Sequence, residues 1–178
     1  MKAFFLDRDG VINDDAIPCL NDPDDVVVYP YVARAMKMIK AAGYEIFIAS
    51  NQPGVAFGKI SPEELDSVSK RIESILQEQG APLPRKWFYC PHKPDDHCDC
   101  RKPCPGLPLK AASEFGVDLS QSFFIGDRMT DIQCGAAAGC AGGVHILSGH
   151  GMNEKDEPLP ENYFRAENLL EAVKLLLS

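Results

Sequence analysis

The sequence predicts an α/β protein built on a doubly wound, mainly parallel sheet. Short apolar runs, each suited to a strand buried on both faces, alternate along the chain with longer segments whose apolar residues recur at helical spacing. Three of these runs stop at polar or charged side chains. In open parallel sheets the ligand crevice lies beyond the carboxyl ends of the strands, so the pattern also predicts which edge of the sheet carries the functional site.

The first predicted strand is the apolar run at residues 3–6, which ends at two carboxylates, Asp7 and Asp9, with Gly10 behind them. Residues 13–30 are irregular and acidic, and the prolines within them discourage a helix. We therefore expect that segment to form a loop over the site. The first strand alone leaves open a plainer alternative, an N-terminal strand that ends in a solvated turn.

Four further strands and five helices are predicted in alternation. The strands are expected at residues 46–49, 86–89, 122–125 and 143–147. The first helix is expected from residue 32 up to Gly43, and the second begins after Ser61. The third is expected at residues 107–115, the fourth is expected to end within residues 134–139, and the fifth is expected at residues 169–177. Pro62 at the first helical position and the capping-box spacing from Ser61 to Glu64 mark the start of the second helix.

The length of 178 residues indicates a single domain over residues 1–178, with no internal repeat and no linker. A net charge of −8 argues against a nucleic-acid binder, because broad phosphate neutralisation needs a basic face. No stretch approaches the roughly 20 apolar residues of a membrane span, and the opening apolar run is too short for a signal peptide. We therefore expect a cytoplasmic monomer with no nucleic-acid or membrane partner.

Three strand ends and one intervening loop supply candidate catalytic and binding groups. These groups are Asp7, Asp9, Ser50, Asn51, Arg101, Lys102 and Asp127. Each also has an ordinary structural explanation: the basic residues as surface charges, the hydroxyl and amide as a strand cap and a turn, and the acid as part of a helix N-terminus. All of these explanations would have to coincide in order along the chain, which favours a shared function.

On these residues the chain resembles the haloacid dehalogenase-like phosphatases. The first motif of that family, Asp-x-Asp-Gly, is matched by residues 7–10, and the second, a hydroxyl residue after an apolar strand, by Ser50. The basic third motif falls at Lys102, and the acidic fourth motif, Gly-Asp-x-x-x-Asp, at residues 126–131. The four motifs occur in the required order over nearly the whole chain, so the resemblance is specific.

The resemblance implies a separate catalytic role for each of the two carboxylates of the first motif, Asp7 and Asp9. Asp7 is the expected nucleophile, and it splits a slow hydrolysis into two easier steps through an aspartyl-phosphate. Asp9 is expected to protonate the leaving oxygen and later to activate water. The family also implies Mg²⁺, held by Asp7, Asp127 and the main-chain carbonyl of Asp9, with Asp131 as a neighbour that does not bind the ion directly.

The same resemblance implies the substrate-binding groups. Lys102 would neutralise the transferring phosphoryl group, and the Ser50 hydroxyl, with the neighbouring backbone N–H at Asn51, would orient its oxygens. Arg101 and Arg128 are the candidates for a second, distal phosphate. The expected partner is therefore a small sugar phosphate.

A cysteine-rich loop predicts a second metal site. Its four candidate ligands are Cys90, His92, Cys98 and Cys100. Three thiolates and one imidazole form a closed tetrahedral set of the kind that binds structural Zn²⁺. Reduced thiols without a metal, or a disulfide, are the alternatives, and His97 and Cys104 are spare candidates. The zinc would staple the loop and fix Arg101 and Lys102, which directly follow it.

The pattern Cys-x-His followed by Cys-x-Cys-Arg-Lys-Pro resembles the subfamily that contains the heptose bisphosphate and histidinol-phosphate phosphatases, whose members lack a large cap domain. Residues 50–58 are closer to the heptose enzymes, although Pro53 stands where serine is usual and Phe57 where arginine is usual. His150 lies in a segment similar to one of the family's and is expected at the rim of the substrate site.

These likenesses imply a phosphomonoesterase that removes the C7 phosphate of D-glycero-D-manno-heptose 1,7-bisphosphate through an aspartyl-phosphate. A histidinol-phosphate phosphatase and a general sugar-phosphate phosphatase are alternatives within the same class. A zinc-stapled, non-catalytic phosphate-binding module is the alternative of another class. Two carboxylates facing a phosphate argue against that module, because simple anion binding gains nothing from them.

Overall fold

In the computed structural model, which describes all 178 residues from Met1 to Ser178, six strands form one sheet in which every neighbouring pair is parallel. The strands are β1 (Ala3–Leu6), β2 (Glu45–Asn51), β3 (Lys86–Cys90), β4 (Phe123–Gly126), β5 (Gly142–Ile146) and β6 (Tyr163–Ala166). Their spatial order is β3-β2-β1-β4-β5-β6. The parallel sheet predicted from the sequence is confirmed.

Five α-helices cover the two faces of this sheet. They are α1 (Val32–Ala41), α2 (Pro62–Glu78), α3 (Gly106–Phe115), α4 (Met129–Ala138) and α5 (Leu169–Leu177). Phe4 and Leu6 of β1 pack with α1, α2 and α5, whereas Ala3 and Phe5 pack with α3 and α4 on the opposite face. The strand is therefore buried on both sides. None of the helices combines the length and the hydrophobicity required to cross a membrane.

The predicted local signals agree with the structure. Ser61 Oγ accepts the Glu64 N–H at 3.1 Å, and the Glu64 carboxylate accepts the Ser61 N–H at 2.7 Å, so the capping box opens α2 as expected. Residues 13–30 contain one short 3₁₀ turn, Pro23–Asp25, and no α-helix or named strand, which is the predicted loop.

The sequence predicts five strands, and β6 is the difference. This strand lies at the edge of the sheet beside β5. Only Tyr163 of its four residues is buried, and Phe164 is 48% exposed. So short a segment, with one buried side chain, does not produce the apolar run or the sustained alternation by which a strand is recognised.

The chain order of the strands reverses at the centre of the sheet. β1 has β2 on one side and β4 on the other, and the Asp7 N–H continues the pairing by donating to Ile125 O at 3.1 Å. The carboxyl ends of β1 and β4 therefore open side by side into the crevice where such folds bind ligands. Asp7 and Asp127, which follow these two strands, meet there.

Candidate active site

Three carboxylates meet beyond the ends of β1 and β4, and we call them the carboxylate cluster: Asp7, Asp127 and Asp131. Their ligand oxygens lie within 4.8 Å of one another, and all three residues are buried. Lys102 is the cation among them, with Nζ 3.0 Å from Asp7 Oδ2 and a direct ion pair to Asp131. Three negative charges and one positive charge leave an excess of two negative charges in a buried site.

The electrostatics of this cluster suit a divalent cation. Burial raises the pKa of Asp127 to about 8, and the negative charges of Asp7 and Asp131 add to the effect. Asp127 Oδ1 is buried without a hydrogen-bond partner, while Oδ2 accepts the His150 N–H at 2.8 Å. Carboxylate oxygens are the ligands that Mg²⁺ prefers, so the donor set fits the ion predicted from the sequence.

Lys102 remains a cation in this site. Burial alone would lower its pKa, but Asp131 and Asp7 outweigh that effect and raise the pKa above its usual value. The side chain is further anchored by a hydrogen bond from Nζ to Ala49 O at 2.8 Å. A positive charge is thus fixed beside the predicted nucleophile.

Two glycines allow loops to close on Asp127. Gly10 has a φ of +78°, and a Cβ built there would overlap Asp127 Oδ2. Gly149 has a φ of +54°, and its Cβ would overlap the same oxygen and the Gly10 Cα. Both positions combine a left-handed backbone with a close approach, and only glycine meets both conditions.

Asp9, the predicted acid and base, lines the cleft with about a third of its side chain exposed: 32%. Arg8 donates to both of its oxygens, at 3.0 and 2.8 Å. Asn13 donates to Oδ1 at 3.0 Å and Gln52 to Oδ2 at 2.7 Å. Burial would raise the pKa of Asp9, but the Arg8 charge and these hydrogen bonds hold it below its ordinary value.

The end of β2 fixes the loop that carries Lys102. Asn51 Nδ2 donates to Lys102 O at 3.0 Å, and Asn51 Oδ1 accepts the Lys102 N–H at 3.0 Å. Asn51, a predicted substrate-binding residue, therefore uses both polar atoms of its side chain to hold the main chain of Lys102. Ser50 is buried beside it, and its Oγ accepts a 3.1 Å hydrogen bond from Gln52.

A cleft of about 590 Å³ brings the predicted residues together. Both motif carboxylates line it, as do all five predicted substrate-binding residues: Ser50, Asn51, Arg101, Lys102 and Arg128. His150 is at the rim as expected, with Nε2 3.4 Å from Asp15 Oδ2 across the mouth. Phe57 is 52% exposed and stands outside the cleft, with Lys93 Nζ 5.0 Å from its ring centre.

Comparison with known proteins agrees with this geometry. A HAD-hydrolase-like family model matches residues 99–172. The D-glycero-beta-D-manno-heptose-1,7-bisphosphate 7-phosphatase of Pseudomonas aeruginosa is 36% identical, covering 99% of this chain and 98% of that protein. The D-glycero-alpha-D-manno-heptose-1,7-bisphosphate 7-phosphatase of Photorhabdus laumondii is 33% identical, covering 96% of this chain and 97% of that protein. The chain belongs to the haloacid dehalogenase-like heptose bisphosphate phosphatase family.

A solved structure of this family shows the same fold. The D,D-heptose 1,7-bisphosphate phosphatase from B. bronchiseptica, complexed with magnesium and phosphate, superposes with a TM-score of 0.91 at 33% identity. The match covers 99% of this chain and 98% of that one. The predicted family and the absence of a large cap domain are thereby confirmed.

The second predicted metal site, which we call the cysteine cluster, comprises Cys90, His92, Cys98 and Cys100. Its four ligand atoms lie within 4.8 Å of one another, with His92 Nδ1 3.6 Å from Cys90 Sγ and 3.3 Å from Cys100 Sγ. This heptose phosphatase family member therefore has a closed set of three thiols and one imidazole that fits Zn²⁺. Cys104 is exposed and lies outside the cluster.

The cysteine cluster is joined directly to the cleft. Arg101 Nη1 donates to His92 O at 3.3 Å, and the main-chain N–H of Arg101 lies near the Cys98 thiol. Burial raises the pKa of that thiol, but the Arg101 N–H and the neighbouring thiols lower it to about 7 overall. The loop thus ties Arg101, which lines the cleft, to residues of the cysteine cluster.

The sequence analysis did not single out two residues of the site. Gln52 donates hydrogen bonds to both Asp9 and Ser50, and the buried Arg8 forms an ion pair with Asp9. Gln52 follows Ser50 by two positions, so its presence on the same side of an extended segment is a readable signal. Arg8 lies inside the first motif at its variable position, and nothing in the sequence marks it as buried.

Proposed function

We propose that this protein is a Mg²⁺-dependent phosphatase that removes the C7 phosphate of D-glycero-D-manno-heptose 1,7-bisphosphate. The observation that carries the proposal is the placement of Asp7 in the cleft, beside a fixed Lys102 and an unpartnered oxygen of Asp127. The names of its full-length relatives in the family support the substrate.

In the first half-reaction Asp7 attacks the C7 phosphorus. The bond from phosphorus to the sugar oxygen breaks, and Asp9 supplies the proton that this oxygen needs to leave, a proton that the Asp9 carboxylate takes up when the negative charge of the entering phosphate raises its pKa. Lys102 and the Ser50 hydroxyl balance and orient the charge on the transferring group. The product remaining on the enzyme is an aspartyl-phosphate at Asp7.

In the second half-reaction Asp9 takes a proton from water, and the resulting nucleophile attacks the phosphorus held on Asp7. The carboxylate of Asp7 leaves, and inorganic phosphate is released. A Mg²⁺ ion held by Asp7, Asp127 and the Asp9 carbonyl would offset the repulsion between these carboxylates and the phosphate.

The rim of the cleft offers two guanidinium groups to the distal phosphate. Arg101 and Arg128 both line the cleft, and arginine suits two-point binding of phosphate oxygens. We propose that these residues recognise the phosphate at C1, which the reaction leaves in place. Phe57 takes no part in this proposal because it lies outside the cleft.

The test is phosphate release by purified protein with Mg²⁺. The experiment compares both anomers of the heptose bisphosphate with histidinol phosphate. We expect one anomer to be hydrolysed faster than the other, and histidinol phosphate to be turned over at least about tenfold less efficiently than the faster anomer. Equal or better turnover of histidinol phosphate would contradict the proposed substrate. A protein that released no phosphate from any sugar phosphate would instead support a non-catalytic binding module.

We further propose that residues 1–178 act as one monomeric domain in the cytoplasm, without nucleic-acid or membrane partners. The acidic net charge of −8 supports the lack of a nucleic-acid partner. Sedimentation of the purified protein tests the monomer, since a dimer would have twice the mass.

A further inference from the structure

Arg8 stands between the two motif carboxylates in the sequence, and the proposed chemistry gives it no role. It is the largest of the fully buried side chains, at 1% exposure. Its ion-pair partner is Asp9, to which Nε and Nη2 donate at 3.0 and 2.8 Å. A planar guanidinium that meets both oxygens of a planar carboxylate fixes the orientation of that carboxylate as well as its position.

The other two donors to Asp9 reach one oxygen each. Asn13 bonds to Oδ1 and Gln52 to Oδ2, so that together with the two bonds from Arg8 they fill the roughly four acceptor positions of a carboxylate. A sugar oxygen or a water can approach Asp9 by displacing one of these single bonds. Arg8 then still holds the carboxylate in its plane.

Arg8 itself is held by rigid parts of the fold. Its main-chain carbonyl accepts the Ile12 N–H at 2.8 Å, which fixes the turn after β1. The Tyr89 hydroxyl on β3 lies near enough for the Arg8 charge to act on it, although Arg8 Nη1 has no hydrogen-bond partner, and that hydroxyl lies 2.6 Å from Ser69 Oγ on α2. Burial raises the pKa of Tyr89 to about 12, so the hydroxyl stays neutral. The guanidinium thus lies between a catalytic carboxylate and a packed strand and helix.

We propose that Arg8 is a positioning residue that holds the Asp9 carboxylate in the plane from which a proton is delivered to the leaving sugar oxygen. The inference rests on the proposed function, because it takes Asp9 as the acid. If the ion pair between Arg8 and Asp9 were purely structural, its loss would lower the rate with all substrates alike. A positioning residue for the acid matters most when the leaving oxygen needs a proton, as a sugar alkoxide does and p-nitrophenolate does not.

The experiment compares two phosphate esters with Mg²⁺ and enzyme in excess, so that a single turnover of leaving-group release is measured. The esters are heptose bisphosphate and p-nitrophenyl phosphate. Arg8→Lys keeps the positive charge and loses the two-point contact. We expect the rate with the sugar ester to fall about tenfold or more, and the rate with the aryl ester to fall no more than about twofold. Asp9→Asn should show the same selectivity to a greater degree.

Two more variants keep the test decisive. Tyr89→Phe removes one hydroxyl beside Arg8. It should also lower the rate with the sugar ester more than the rate with the aryl ester, by a smaller factor than Arg8→Lys does, and it can be measured even if Arg8→Lys proves unstable. Arg34→Lys, on the exposed surface of α1, should leave both rates unchanged. Equal losses with both esters in Arg8→Lys and Tyr89→Phe would overturn the proposal.

The two proposals fail in different ways. Wild-type protein that hydrolyses other alkyl phosphate monoesters but not heptose bisphosphate would refute only the proposed substrate, and those esters would then serve in the Arg8 comparison. Wild-type protein that hydrolyses no alkyl monoester at all would overturn both.

Discussion

The carboxylate cluster and the cysteine cluster lie at the same edge of the sheet but are assembled in different ways. The carboxylate cluster and its lysine come from residues 7, 102, 127 and 131, and are brought together by the order of β1, β4 and α4. The cysteine cluster comes from residues 90–100, which are the last residue of β3 and the loop that follows it. One site depends on the global topology, whereas the other depends on a local chain segment and a metal.

The two clusters also differ in the kind of ion that they suit. Hard carboxylate oxygens, of which those of Asp7 line the cleft, fit an exchangeable Mg²⁺, while three thiols and an imidazole form a closed soft set for Zn²⁺. We therefore expect damage to the carboxylate cluster to reduce the rate of chemistry. Damage to the cysteine cluster should act through Arg101 and change mainly substrate binding.

The largest effect is expected from Asp7→Asn, which removes the nucleophile and keeps the shape of the side chain. Turnover should fall by about 10⁴-fold or more, because no covalent intermediate can form. Thermal unfolding should show no loss of stability, since the change removes one of three neighbouring negative charges. Phosphate release and calorimetry check both statements, and substantial remaining activity would disprove the mechanism.

Gly10→Ala tests how closely the loops must approach the carboxylate cluster. The added Cβ would overlap Asp127 Oδ2, and we expect turnover to fall by about 100-fold through displacement of that carboxylate. Gly43→Ala is the matched control, because φ is +80° there and nothing lies within 4 Å of the added atom. Both variants should lose about 1 kcal/mol of stability from backbone strain, and only Gly10→Ala should lose activity. Equal activity in the two variants would rule out the steric explanation.

The difference between the clusters also explains how far the sequence could predict them. The cysteine cluster is readable because its ligands recur within one short segment, and the catalytic residues are readable because each follows a strand in a known motif order. The double contact of Asn51 with the Lys102 main chain could not be read, because it joins residues 51 positions apart. The burial of Arg8 could not be predicted from the sequence either. The strand β6 was missed because an exposed edge strand contains too few buried apolar residues to form a recognisable pattern.

Cys98→Ser tests whether the cysteine cluster acts through Arg101. The serine hydroxyl is a poor zinc ligand, so zinc content should fall well below the expected value of about one per chain. Because Arg101 is tied to the cluster through its hydrogen bond to His92 O, we expect a loosened cluster to raise KM about tenfold with a smaller change in kcat. Cys104→Ser, at an exposed thiol outside the cluster, should leave zinc content and KM unchanged. Full zinc content in Cys98→Ser would remove that residue from the ligand set.

The smallest expected effect is on thermal stability. The carboxylate cluster, unlike the cysteine cluster, should make the stability depend on pH and on Mg²⁺. Because the folded, metal-free protein raises the pKa of Asp127 to about 8 from an ordinary 3.8, it binds that proton more tightly than the unfolded chain does. Stability of the metal-free protein should therefore fall as the pH rises from about 4 to about 8. Mg²⁺ replaces the proton, so the gain in Tm on adding Mg²⁺ should be a few degrees larger at pH 8 than at pH 5.5. Asp127→Asn should abolish this dependence while the zinc content stays constant, and an equal Mg²⁺ effect at both pH values would show that Asp127 does not hold the ion.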